Sequence, residues 1–227
     1  MATEIDLERA PRDLTGSRAS SFDRSEWLYA FMREHCFRDD TDRIDVALWE
    51  GAPPRQGTLL IDIGCGPGTY TRRLAQRHPG LRALGIDHSP RQLIRARDHA
   101  RQVGADNCRF QLGDALRLPL ADGSVDAAVA SRLLMVLSDP AGALAEIYRT
   151  LRPGGRCFIA EPRPGLWTAL PTMVMRIVDR AAGAVNPAPI PGDDADWAAL
   201  LNTQPWSCVT ASGDRRYRYA ICERSAA

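Results

Sequence analysis

Leu59-Leu60-Ile61-Asp62-Ile63-Gly64-Cys65-Gly66-Pro67-Gly68 decides the architecture of this chain. An apolar run with one acid near its end passes directly into three glycines on alternate positions. That reads as a buried strand, a tight turn and the start of a helix. A turn without side chains lets a backbone approach a ligand closely. The helix that follows offers unpaired N–H groups to that ligand. Nineteen residues past Gly68, a second apolar stretch, Leu81-Arg82-Ala83-Leu84-Gly85-Ile86, ends in Asp87. An acid about 20 residues beyond a glycine-rich turn is placed to accept the two hydroxyls of a ribose. The pattern is that of a nucleoside holder.

The spacing narrows the choice of nucleoside. The dinucleotide fingerprint is G-x-G-x-x-G, whereas here it is G-x-G-x-G with Asp62 two positions before the first glycine. A carboxylate at that point disfavours a pyrophosphate and favours an amino group. Asp62-Ile63-Gly64-Cys65-Gly66-Pro67-Gly68 resembles the first motif of the class I S-adenosylmethionine-dependent methyltransferases. The resemblance continues through Gln111-Leu112-Gly113-Asp114-Ala115, similar to that family's adenine motif. It extends to Leu118-Pro119-Leu120-Ala121-Asp122-Gly123-Ser124-Val125-Asp126, the approach to strand four, and to Leu151-Arg152-Pro153-Gly154-Gly155, the turn before strand five. It covers residues 57–161 and is nearest to the small-molecule branch that includes the quinone-biosynthesis enzymes.

The resemblance implies a division of labour. The glycine turn packs against the methionine part and ribose of the cofactor, and Asp87 holds the ribose hydroxyls. Asp114 accepts from the adenine amino group, with the Ala115 N–H facing the ring. The implied cofactor side is Asp62, Gly64, Cys65, Gly66, Gly68, Asp87, His88, Asp114, Ala115 and Ser131. The implied fold is α/β: a Rossmann-like, seven-stranded, mostly parallel sheet with helices on both faces and an antiparallel closing strand.

Composition sets outer bounds. A chain of 227 residues is long enough for one domain with a full core and some extra structure. A net charge of +1 gives no electrostatic argument for nucleic acid or an acidic membrane. All 29 basic residues are arginine, which excludes Schiff-base and lysine-base chemistry. The six cysteines have no C-x-x-C spacing, so neither a metal cluster nor a disulfide framework is expected, and Cys157 and Cys222 read as buried small hydrophobes. With no N-terminal apolar segment and no 18-residue apolar span, the expected setting is cytoplasmic, without membrane insertion.

Residues 1–20 lack periodic apolar pattern and read as a mobile arm; residues 21–56 read as an N-terminal helical cap of two helices closed by Ala52-Pro53-Pro54. Residues 57–227 form the methyltransferase domain of this reading. Strands are expected near 58–63, 81–86, 108–112, 125–130 and 156–160, joined by right-handed crossovers. Ser89 and Asp139 are expected to cap helices Pro90–Val103 and Pro140–Leu151, each with proline in its first turn. A short helix over Asp193–Leu201 and a hairpin of Ser207–Ala211 with Tyr217–Cys222 complete the sheet. Segment 164–192 is read as an acceptor-facing insertion, in which Trp167, Met173, Met175 and Ile177 line either an apolar pocket or a core helix.

Methyl transfer from an activated sulfonium asks chiefly for alignment, and no universal base is expected. Four side chains are acceptor-side candidates. Tyr29 either covers the methionine end or is a packed aromatic; His35 either accepts a proton near pH 7 or is a surface residue. Glu161 either faces the acceptor or is a turn residue before Pro162. Arg132 stands where close relatives often carry a histidine pair. Facing inward it favours an acidic acceptor; facing outward it is solvated. The expected activity is S-adenosylmethionine-dependent methylation of a small, partly apolar acceptor, with S-adenosylhomocysteine as product. A non-catalytic cofactor-binding protein acting through a protein partner is the alternative.

Overall fold

Strand β1, Leu59–Ile63, is buried along its whole length. A strand covered on both faces needs apolar residues on both. Leu59, Ile61 and Ile63 join the core on one side of the sheet and Leu60 joins the core on the other. The computed structural model describes residues 39–163, 192–215 and 217–226. The remaining strands are β2 Arg82–Asp87, β3 Cys108–Leu112, β4 Val125–Ser131, β5 Leu151–Pro162, β6 Trp206–Gly213 and β7 Tyr217–Arg224. The sheet order is β3-β2-β1-β4-β5-β7-β6. Strands β1 to β5 pair in parallel, and β7 pairs antiparallel with both β5 and β6. The fold is thus the Rossmann-like one expected, with β7 as the reversed strand.

Helices cover both faces. On one, α1 (Thr41–Trp49), α2 (Thr69–Arg77) and α3 (Pro90–Gln102) pack through Ile44, Leu48, Tyr70, Leu74, Leu93 and Ala96. On the other, α4 (Pro140–Thr150) and α5 (Asp194–Leu201) contribute Leu144, Ile147, Trp197 and Leu201. Each fully buried aliphatic side chain of this kind stabilises the fold by about 1.5–3 kcal/mol relative to exposure. The caps at Ser89 and Asp139 are as expected, their side chains accepting from the N–H groups of Gln92 and Gly142; Asp193, read as the first residue of its helix, is instead the cap and accepts from the Asp196 N–H.

One element differs from expectation. Leu151–Gly155 was expected as a turn before β5, but it lies within the bounds of that strand. The pairing jumps from Val125↔Leu151 to Ala127↔Arg156, so the intervening residues bulge out of the ladder around Gly154 at φ +74. A chain can leave a ladder and rejoin it in this way without ending the strand. Tyr29, His35, the arm 1–20, the first helix of the cap and residues 164–191 lie outside the described residues. Among the described residues no helix is long and apolar enough to cross a membrane.

Candidate functional site

Strand β1 lies between β2 and β4, so the chain leaves the sheet in opposite directions on its two sides, and the crevice opens at the carboxyl ends of these strands. The glycine turn fills the mouth of that crevice. Gly64, Gly66 and Gly68 all take positive φ, at 66°, 53° and 75°. The Gly64 and Cys65 N–H groups donate to the Ile86 carbonyl at 2.8 and 3.1 Å, which clips the turn to β2. A Cβ on Gly64 would lie 2.8 Å from the Leu133 side chain, so the chain leaving β4 rests directly on this turn.

Asp62 has a specific task. Its Oδ2 accepts from the Thr71 N–H at 3.1 Å and the Thr71 hydroxyl at 2.6 Å. Gly68 is the N-cap of α2 and has no side chain with which to cap it. The carboxylate of the preceding strand therefore does what a capping side chain normally does, and one of its oxygens is committed to the helix.

Asp87 ends β2 with both carboxylate oxygens accepting hydrogen bonds. Oδ2 accepts from the Gly66 N–H at 2.8 Å and Oδ1 from the Ser89 N–H at 2.9 Å. The residue is 8% exposed. A carboxylate oxygen accepts more than one hydrogen bond, so Asp87 can hold the turn and a ligand hydroxyl together. His88 beside it is exposed, with Nδ1 3.6 Å from the Asp87 carboxylate. The Asp87 carbonyl also accepts from the Gly113 N–H at 3.1 Å. Asp114 and Ala115 follow on that rim. Asp114 is exposed, and its Oδ1 accepts from the Leu116 N–H at 2.9 Å, closing a small turn.

Beyond β4 the polar groups go inward. Ser131 is buried, its hydroxyl 3.5 Å from the Tyr217 hydroxyl. Arg132 is also buried, which settles its orientation against the solvated alternative. It takes the left-handed backbone at φ 58°, a conformation costly for a non-glycine residue. Its N–H donates to the Ala160 carbonyl at 2.7 Å, its guanidinium to the Tyr70 hydroxyl at 3.4 Å, and Asp40 Oδ2 lies 4.0 Å away. Tyr70, Asp40 and Tyr217 escaped the sequence reading. They come from the first turn of α2, the cap of α1 and the start of β7, and only the fold brings them to Arg132.

Glu161 is 1% exposed at the end of β5. Its Oε1 accepts from the Leu134 N–H at 2.7 Å, at the start of a single 3-10 turn, Leu134–Val136. Burial pushes its carboxyl up from the ordinary 4.5 to about 8, outweighing its hydrogen bonds and the nearby Arg132. The folded state therefore holds a proton that the unfolded state has released between those two values. Stability from this group is complete below pH 4.5 and is lost as pH rises towards 8. Each pKa unit is worth about 1.4 kcal/mol. Urea midpoints of the wild type should fall across this window, whereas Glu161→Gln, which keeps an acceptor for Leu134 without a proton to lose, should show a flatter profile. Parallel profiles would mean that Glu161 is ionised in the fold.

A seven-stranded sheet of this order, with a glycine turn at its switch point and an acid ending the neighbouring strand, defines a Rossmann-like methyltransferase fold. Residues 54–215 match a family model described as a methyltransferase domain, and the chain belongs to that family. It is 38% identical over 121 residues to the demethylmenaquinone methyltransferase of Thermus thermophilus, covering 53% of this chain and 52% of that one. It is 45% identical over 109 residues to an uncharacterised 37.1 kDa transposon protein of Streptomyces fradiae, covering 48% of this chain and 31% of that one. The chain thus spans about half or less of these relatives' length. Among solved structures, phosphoethanolamine N-methyltransferase 2 of Haemonchus contortus, in complex with S-adenosyl-L-methionine, superposes with a TM-score of 0.69 at 13% identity, covering 89% of this chain and 57% of that one. At that identity the likeness is one of fold.

Proposed function

We propose that this chain is an S-adenosylmethionine-dependent methyltransferase acting on a small, partly apolar molecule. The observation that carries the reading is Asp87, a buried carboxylate at the end of β2 tied to the Gly66 N–H of the glycine turn at the switch point. The residues present suit this cofactor. The three glycines of the turn admit a close approach, and the flanking carboxylates Asp62 and Asp87 favour a sulfonium and ribose hydroxyls over a pyrophosphate. Asp87 would hold the ribose, Asp114 and the Ala115 N–H the adenine, and Ser131 the rim of the methionine end. When bound, the cofactor supplies an activated methyl group, transferred as the acceptor–carbon bond forms and the sulfur–carbon bond breaks.

The chain's own contribution is alignment and exclusion of water. Glu161 is protonated near neutral pH and already accepts from Leu134, so we assign it the placing of the Leu133–Leu134 segment rather than proton removal. The buried guanidinium of Arg132 donates to the Tyr70 hydroxyl and lies over the Tyr217 ring, so it orders both tyrosines. A small acceptor is supported by the likeness to the demethylmenaquinone methyltransferase.

Calorimetric titration with S-adenosylmethionine, with NAD as the control, tests the reading. Saturable binding of the first alone is the expected result. Binding of NAD instead, or of neither S-adenosylmethionine nor S-adenosylhomocysteine, would overturn it.

A further inference from the structure

The segment between β3 and β4, residues 113–124, has no regular secondary structure beyond one isolated bridge, yet its backbone groups are closely accounted for. Its upper end is tied to β2 through the Gly113 N–H and the Asp87 carbonyl. Its lower half is held by two side chains of α4. Glu146 Oε2 accepts from the Leu118 N–H at 2.8 Å. Arg149 donates to the Leu118 carbonyl at 3.2 Å, the Leu120 carbonyl at 2.8 Å and the Asp122 carboxylate at 2.6 Å. The Arg149 guanidinium also grips Glu146 in a two-pronged pair, Nε to Oε1 and Nη2 to Oε2, each at 2.8 Å. The Arg149 carbonyl accepts from the Gly123 N–H at 2.9 Å. Leu118 and Leu120 are themselves buried in the core on this side of the sheet.

These bonds reach the amide or carbonyl of residues 118, 120 and 123 and the side chain of 122. Asp114 and Ala115 lie between the anchors at Gly113 and Leu118, with only Leu116 and Arg117 separating them from the lower one. So short a link leaves the rim little freedom once both ends are held. A planar guanidinium serves this geometry because its donors point in fixed directions in one plane, which an ammonium cannot reproduce. The Arg149 hydrogen bond holds Glu146 below the usual carboxylate range, so the pair stays ionised at neutral pH.

We propose that the Glu146–Arg149 pair is a positioning device for the adenine side of the cofactor site: by fixing Leu118 and Leu120 it sets where Asp114 and the Ala115 N–H stand, and with them cofactor affinity and base selectivity. The inference rests on the assignment of Asp114 and Ala115 to adenine under the proposed function. Neither residue of the pair touches the cofactor in this account.

The test compares S-adenosylhomocysteine with S-inosylhomocysteine, in which the adenine amino group is replaced by a carbonyl. Both are titrated against the wild-type chain, Arg149→Ala, Arg149→Lys and Asp114→Ala, with each variant's fold checked by its urea transition. Arg149→Ala should bind S-adenosylhomocysteine about tenfold more weakly, the scale of one charged hydrogen bond's worth of placement. Its preference for the adenine compound should fall with it. Arg149→Lys should not restore that preference, and Asp114→Ala should abolish it. A loss of stability alone moves the urea midpoint and leaves the preference unchanged. A folded Arg149→Ala with wild-type preference, beside an Asp114→Ala that has lost it, overturns the positioning role alone. An Asp114→Ala with wild-type preference overturns the adenine assignment and this inference with it. If Arg149→Ala does not fold, Glu146→Gln carries the same comparison, since it keeps an acceptor for the Leu118 N–H and loses the ion pair.

Discussion

Replacing Asp87 with alanine is expected to weaken S-adenosylmethionine binding by about 100-fold or more, from two losses of a few kcal/mol in total. The first loss is direct. Hydrogen bonds from ligand hydroxyls to an ionised carboxylate are among the stronger ones, and the variant offers them no acceptor. The second is local. The Gly66 and Ser89 N–H groups, which now donate to the two carboxylate oxygens at 2.8 and 2.9 Å, would be left without their acceptor in a largely buried position. The turn would then loosen where the cofactor is to lie. Asp87→Asn is the sharper form of the experiment. It keeps the size of the side chain but turns one acceptor into a donor facing an N–H, so it should lose nearly as much. Titration calorimetry with S-adenosylmethionine reads both variants. A folded Asp87→Ala with wild-type affinity would remove this residue from the ribose.

Gly68→Ala should be the most destabilising single methyl addition in the turn. The residue sits at φ 75°, where a side chain costs about 1–2 kcal/mol. Its new Cβ would fall 2.6 Å from Phe110 Cε1 and 3.0 Å from the Ala96 Cβ. Phe110 is buried on β3 and Ala96 on α3, so neither yields without moving its element. Overpacking of this kind adds about 1–3 kcal/mol. Gly104→Ala separates the two effects. It has a similar φ of 65° but nothing within 4 Å of the added atom, and should cost only the backbone contribution. Urea midpoints at unchanged slope check both. Equal midpoints would mean that Phe110 and Ala96 give way freely.

The elements that follow local rules were legible in the chain: strand periodicity, caps at Ser89 and Asp139, the glycine turn and its distant acid. Each depends on residues within a few positions, or on a motif whose spacing is itself the signal. What escaped depends on folding. Asp62 gave no sign that it would cap α2, because Thr71 reaches it only after the chain has reversed through the turn. Arg132 was open to two readings because its direction follows from a left-handed residue, and nothing in an arginine marks that conformation. The bulge at Leu151–Gly155 looked like a strand boundary, since Pro-Gly-Gly carries the same local signal whether or not pairing resumes. The Arg149 network links residues about thirty positions apart through backbone carbonyls, which carry no sequence identity at all.

The place of β7 also bears on how the chain is made. Every residue from the glycine turn to Glu161 emerges from the ribosome before β6, and β6 emerges before the strand that separates it from β5. From Pro162 to Tyr217 is 55 residues, and at roughly 5–20 residues per second this corresponds to several seconds of synthesis. Throughout that interval the apolar edge of β5, Cys157-Phe158-Ile159-Ala160, lacks the neighbour that closes it in the finished sheet. Open edges of this composition are where nascent chains associate wrongly. The cofactor half of the molecule can thus form early, whereas the edge of β5 is covered only when Tyr217–Arg224 arrives and pairs with both β5 and β6.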